Sequence, residues 1–270
     1  MGVTIVNDGG QSGPGLVGGA LRVWRRDMES WRKYYKASLV GALGEPILSL
    51  VAIGYGLGRF VDVSASGQAG VTYAQFLAPG ILASAAMNAA SFEATFGSFT
   101  RMTEQKTYDA ILATPIGIPE IVAGDALWAA SKATLAGTAV AIVAAAAGLV
   151  SSAWAVLLPA LALLVGLVFA TMGLVVASRA RAYDFFTYYF TLVISVMYFL
   201  SGIFFPVASL PAWAQAIAWC LPLTHAVALS RACVAGSVGP TALAHVAVLL
   251  GVLTVSYLVA VRWVGRRLIA

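Results

Sequence analysis

Apolar residues in this chain come in blocks about as long as a membrane is thick, separated by short polar or basic stretches. A bilayer core of roughly 30 Å is crossed by about 20 residues of helix. Windows of that length place six blocks near residues 37–60, 72–96, 121–149, 153–177, 185–205 and 241–263. A transmembrane barrel needs ten-residue stretches of alternating apolar and polar positions. Runs such as 139–150, apolar throughout, show no such alternation. The pattern predicts an all-α integral membrane protein with six transmembrane helices: residues 37–270 form one transmembrane domain behind a cytoplasmic segment, 1–36.

The fifth block breaks this rhythm. Residues 185–230 run for 46 positions without Asp, Glu, Lys or Arg, punctuated by Pro206, Pro211 and Pro222. That is too long for one crossing. Ser209 can cap a short helix with Pro211 in its first turn, and Leu221 with Pro222 ends it. A second piece, from Thr224 to Ala235, stops at Gly236. Each piece reaches about half a bilayer. The expectation is one crossing followed by an outer re-entrant helical hairpin near 209–235. Backbone broken at that depth survives only inside protein or beside a water-filled cavity, so the hairpin is expected to cap a translocation path.

Charge then orients the chain. Only 10% of residues are charged, 60% are hydrophobic and mean hydropathy is +0.89. Arg22, Arg25, Arg26, Arg32, Lys33 and Lys36 precede the first block. Arg101 and Lys106 follow the second, Arg179 and Arg181 the fourth, and Arg262, Arg266 and Arg267 close the last. The opposite side receives only Arg59 and Arg231, which places both termini in the cytoplasm. Two crossings in 185–230 would reverse the last span, which is why that stretch is read as a single one. The net charge of +5 is therefore membrane topology, with no solvated basic domain for nucleic acid. Residues 1–19 are Gly-rich and polar, without the basic start and apolar run of a signal peptide, so insertion is expected to begin at the first span. Leu16, Val17, Leu21, Val23, Trp24, Met28 and Trp31 interleave with the basic residues, as in an amphipathic helix lying on a membrane surface.

Candidate chemistry is sparse. Glu45, Glu93, Asp125 and Lys132 fall in or near the blocks, where a charge costs about 2.5 kcal/mol or more and faces a partner or a cavity. Glu45 with Pro46 is a possible hinge. Asp125 and Lys132, seven apart on one helical face, suggest a structural pair. In the loop 101–120, Met102, Gln105, Tyr108, Ile111 and Leu112 recur at helical spacing beside Arg101, Glu104 and Asp109, giving a short helix fit to dock on a partner; a plain solvated loop shows the same spacing. Tyr188, Tyr189, Tyr198, Phe199, Phe204 and Phe205 belong to an aromatic supply suited to a glycolipid path or to an interfacial belt. Cys220 and Cys233, with His225 and His245, complete no metal-ligand spacing; a disulfide between the cysteines stays open. No Gly-x-x-x-x-Gly-Lys-Ser/Thr loop is present to cradle ATP, and Gly54, Gly56 and Gly58 read as close helix packing.

Three strings carry a resemblance: Phe199-Leu200-Ser201-Gly202-Ile203-Phe204-Phe205-Pro206 with Leu210-Pro211-Ala212-Trp213 and Leu221-Pro222-Leu223-Thr224-His225; Tyr73-Ala74-Gln75-Phe76-Leu77-Ala78-Pro79-Gly80-Ile81; and Leu112-Ala113-Thr114-Pro115. Together they resemble type-2 ABC exporter permeases, and among these the nodulation-factor (lipooligosaccharide) exporter subfamily, from residue 16 nearly to the end. The resemblance implies six spans in a bacterial inner membrane, a homodimer, and two copies of a separate cytoplasmic ABC ATPase that holds the ATP and Mg. It also implies coupling through loop 101–120 and a lipid-linked oligosaccharide as substrate. A hydrophobic drug or antibiotic exporter of the same superfamily is the near alternative. An ion-coupled secondary transporter is the distant one, expected to show paired half-repeats with buried carboxylates that the late half lacks.

Overall fold

The computed structural model describes residues 15–56, 58 and 71–269, and every regular element among them is helical. The helices are α1 Leu16–Trp31, α2 Tyr35–Val51, α3 Tyr73–Phe92, α4 Ser98–Thr103, α5 Thr107–Leu112, α6 Ile118–Ala146, α7 Leu158–Arg179, α8 Phe185–Tyr189, α9 Ser195–Leu200, α10 Ala212–Cys220, α11 Pro222–Ala235 and α12 Pro240–Ile269. The end of the first expected span, with Arg59, lies outside the described residues.

Three helices among the described residues are long and apolar enough to cross a membrane singly: Ile118–Ala146, Ala153–Arg179 and Pro240–Ile269. The pair Ala212–Cys220 and Pro222–Ala235 meets the same measure only together, and is bent by 85°. Six crossings were expected. The other three blocks are interrupted, each by one π-helical turn: Ala52–Gly56 after α2, Glu93–Gly97 between α3 and α4, and Phe190–Ile194 between α8 and α9. Such turns insert one residue into the helical ladder and gather at functional sites.

α3, α6 and α7 form the centre, with α12 against α7 and α1 across α6. Small residues let the backbones close up. A Cβ on Gly166 of α7 would lie 2.8 Å from Ala130 Cα of α6, and one on Gly124 of α6 would lie 2.5 Å from Val23 Cβ of α1. Of the glycines read as close helix packing, a Cβ on Gly54 would meet Ala74 at an ordinary 3.4 Å and one on Gly58 would meet Tyr73 at 3.6 Å, whereas Gly56 has nothing within 4 Å. Between α7 and α12, the Thr171 and Ser256 hydroxyls share a hydrogen bond of 2.6 Å.

The two ends of the bundle differ in charge. At one end Arg267 donates to the Ala177 and Ala180 carbonyls that finish α7, and its guanidinium lies over Phe99. Arg179 and Arg266 flank Trp263 there. At the other end Tyr73 donates to the Phe204 carbonyl, and Ser151 N–H, in the α6–α7 connection, donates to the Val234 carbonyl of α11. Phe204, ahead of α10, and Val234, near the end of α11, are both held at this second end.

Details of that pair depart from expectation. Ser209 does not cap α10; it donates to the Pro206 carbonyl and closes a 3-10 turn, Val207–Ser209. α10 has no side-chain cap, and Gln215 instead ties the preceding turn down, its amide donating to the Ala208 and Leu210 carbonyls. Arg231 of α11 donates to the Gly202 and Ile203 carbonyls freed by the end of α9 and stacks on Phe76 at 3.9 Å. Gly236 ends α11 with φ +76°, a backbone state glycine tolerates without strain. Cys220 is exposed and Cys233 buried, and both are free thiols.

Candidate functional site

Five elements converge on one buried polar network at the basic end. Glu93 opens the π turn after α3, and a Cβ on Gly97 would lie 2.5 Å from its Oε1. That glycine makes the room in which the Glu93 carboxylate lies. Arg101 Nη1 donates to Glu93 Oε1 at 2.8 Å, Trp128 Nε1 to the same oxygen at 3.0 Å, and Lys132 Nζ to Oε2 at 2.6 Å. Arg101 Nη2 reaches Asp125 Oδ2 at 3.2 Å. Ser98 Oγ donates to that oxygen at 2.8 Å, and Tyr108 OH donates to it from α5. Asp125 and Lys132 therefore do not pair with each other, as their spacing had suggested; each takes its own partner across the interface to α3 and α4.

The amphipathic helix α1 closes this network from outside. Gly19, Ala20, Val23 and Asp27 form its buried face against α6, while Leu16, Val17 and Leu21 are exposed. Trp24 Nε1 donates to Ser131 Oγ of α6 at 2.9 Å. Asp27 is only 5% exposed; its Oδ1 accepts from Arg26, and its Oδ2 has no partner among the described residues, nor has Asp125 Oδ1. Burial, and then the Asp125 carboxylate, push Asp27 up to about 7 from an ordinary 3.8, against the lowering pull of Arg101 and Arg26. Burial first and Asp125 second likewise raise the Tyr108 phenol well above its ordinary range, so it stays a neutral donor.

Docked α1 holds the Asp27 proton more tightly than free α1, so docking is strongest below 3.8 and weakens as pH rises to about 7. Above that window the curve is flat. Hydrogen exchange of the 16–31 amides, corrected for intrinsic rate, should show protection falling over this window in the native chain. Asp27→Asn should abolish the dependence.

Beside the network lies a groove of about 650 Å³ between α2, α3, α6 and the α8–α9 segment. Glu93 and Lys132 form part of its lining, with Tyr34, Glu45, Pro46, Asn88, Phe92, Phe190 and Tyr198. The expected hinge residues Glu45 and Pro46 thus sit on the groove wall, Pro46 inside α2. Of the aromatics expected on a path, Tyr198 reaches this groove, Tyr189 is buried, and Tyr188 and Phe199 are 65% and 57% exposed elsewhere. Phe204 and Phe205 are half-buried beyond α9, and Phe204 meets Tyr198 edge to face at 5.2 Å.

The loop 101–120 is organised differently from a single amphipathic helix. α4 ends at Thr103, Lys106 turns the chain with φ +48°, and α5 starts afresh at Thr107. Arg101, Met102 and Tyr108 point into the protein, Ile111 and Leu112 are half-buried, and Glu104, Gln105 and Asp109 are exposed. Arg101 and Tyr108 tie this loop to Asp125, and through Glu93 to the groove floor.

Sequence reading missed several of these contacts. Trp128 and Gly97 carry no signal apart from their neighbours, and Ser98 reads as an ordinary helix residue. His225 and His245 also meet, Nδ1 to Nδ1 at 2.8 Å, with His225 Nε2 3.0 Å from the Trp219 carbonyl. A carbonyl only accepts, so neutral His225 donates from Nε2–H to Trp219, and its Nδ1 accepts a hydrogen bond from His245 Nδ1–H.

Comparison with known proteins decides the family. The family profile described as ABC-2 type transporter matches residues 20–235. The chain belongs to the ABC-2 type transporter family. Similar proteins include Nodulation protein J of Rhizobium leguminosarum bv. viciae, 41% identical over 248 residues, covering 92% of this chain and 94% of that one. Nodulation protein J of Rhizobium leguminosarum bv. trifolii is 41% identical over 263 residues, covering 96% and 99%. That of Bradyrhizobium diazoefficiens is 40% identical over 247 residues, covering 92% and 93%. No solved structure matches. Membership of the ABC-2 family makes this chain a membrane-embedded transport subunit and implies an ABC ATPase as partner.

Proposed function

We propose that this chain is the transmembrane permease of an ATP-driven exporter that carries a lipid-linked oligosaccharide from the inner to the outer face of a bacterial inner membrane. The observation that carries the reading is the similarity, near 40% identity, to Nodulation protein J along more than nine-tenths of both chains. Two permease copies act with two ATPase copies, which hold ATP and Mg. Six crossings are made, three of them by helices with π turns, and both termini lie in the cytoplasm with the basic end of the bundle. The bent α10–α11 pair is the outer re-entrant hairpin. Glu104, Gln105 and Asp109, exposed on the loop around Lys106, meet the ATPase. Its closure moves α5, and Tyr108, Asp125, Arg101 and Glu93 carry the movement to the groove.

Two experiments test this. Co-expression with the cognate ATPase, in a host that makes a lipooligosaccharide but cannot release it, should move that product to the medium. Export of a hydrophobic drug in its place would favour the drug-exporter reading. For topology, in a chain carrying Cys220→Ser and Cys233→Ser, cysteines placed singly at Gln215 and Ser237 should both react with an impermeant thiol reagent added outside. Reaction of one from each side would make the pair a full crossing.

A further inference from the structure

We infer that the groove beside α2 takes the uncharged sugar end of the exported glycolipid, and that the acyl chain stays outside it. This rests on the export reading above. Three charged groups face the groove: Glu45, Glu93 and Lys132. The single ammonium is already neutralised, since Lys132 Nζ lies 2.6 Å from Glu93 Oε2 and against the ring faces of Trp128 and Tyr34, at 5.4 and 5.9 Å. Glu45 then leaves the lining with a net negative charge. An anionic headgroup would be repelled there, whereas sugar hydroxyls donate readily to carboxylates.

Neutral groups point the same way. Asn88, one helical turn before Phe92 on α3, lines the groove, and its side chain makes no hydrogen bond to another described residue. Its amide can give and accept at once, the pairing a vicinal diol or an acetamido group offers. Phe92, stacked on Phe96 at 4.7 Å, is 59% exposed, and Tyr34, with Lys132 over one face, is 51% exposed; both give the lining aromatic surface of the kind that meets the C–H face of a sugar ring. A volume of about 650 Å³ lies within the range of small-molecule sites. An alkyl chain would leave these polar groups unpaired, a loss it avoids by remaining in lipid.

The test uses the permease–ATPase complex in nanodiscs with radiolabelled lipooligosaccharide. Three competitors are compared: the unlabelled compound, its deacylated oligosaccharide and the free fatty acid. The oligosaccharide should compete and the fatty acid should not. Asn88→Leu should raise the concentration of oligosaccharide needed by at least tenfold, with Asn88→Gln restoring most of it; Tyr34→Leu, at an exposed ring, should act in the same direction. Thr254→Ala on the exposed side of α12 is the control and should change nothing. Competition by the fatty acid alone, or unchanged competition in both groove variants, would overturn this assignment while leaving the export reading intact. A native complex that binds no lipooligosaccharide would overturn both.

Discussion

Glu93→Ala is expected to destabilise the folded permease by about 3–5 kcal/mol, because it leaves Lys132 without a counter-ion and takes one of two carboxylate partners from Arg101. Glu93 Oε1 serves Arg101 and Trp128, and Oε2 serves Lys132, so the substitution orphans three donors at once. Arg101 keeps Asp125; Lys132 keeps only the aromatic faces of Tyr34 and Trp128. Replacing the pair together, Glu93→Leu with Lys132→Leu, should therefore cost less than Glu93→Ala alone, since no unpaired ammonium remains. Thermal unfolding of detergent-solubilised protein, followed by fluorescence-detected size exclusion, checks the order. A double variant worse than the single one would show that the pair acts through packing and not through charge.

Reversing charge on the outer face of the loop 101–120, proposed above to meet the ATPase, should separate ATPase binding from folding. Glu104→Lys with Asp109→Lys alters side chains that are exposed and make no ion pair among the described residues, so fold stability should change by less than about 0.5 kcal/mol. Co-purification with the ATPase should fall by at least tenfold. Tyr108→Phe makes the contrast. It removes a buried donor to the Asp125 carboxylate and should cost about 1.5–3 kcal/mol of stability, with the exposed surface intact. Loss of ATPase binding in Tyr108→Phe but not in the charge-reversed loop would place the docking surface elsewhere.

The helical class was legible because apolar blocks of membrane length dominate the chain, and the basic loops sort to one end of the bundle as their counts implied. The bend at Leu221–Pro222 and the stop at Gly236 were legible too, since proline and glycine act through their own backbone. The π turns were not. They answer to contacts such as Glu93 beside Gly97, which no periodicity records. The site was half legible. Glu93, Asp125 and Lys132 stood out as charges in apolar surroundings, but their partners are set by which helices touch. Spacing along α6 suggested Asp125 with Lys132, whereas packing against α3 and α4 supplied Glu93 and Arg101. Lys106 hid the break in the loop, because a left-handed lysine has no distinctive sequence mark.

A permease that couples an ABC ATPase to export of a lipid-linked oligosaccharide must make ATP hydrolysis respond to that substrate. The direct measurement is ATP hydrolysis by the purified permease–ATPase complex in lipid, titrated with lipooligosaccharide, with hydrophobic drugs, and with neither. The account predicts a stable complex whose hydrolysis rises with lipooligosaccharide and not with drugs. A permease that binds no ATPase, or a complex indifferent to lipooligosaccharide, would contradict it.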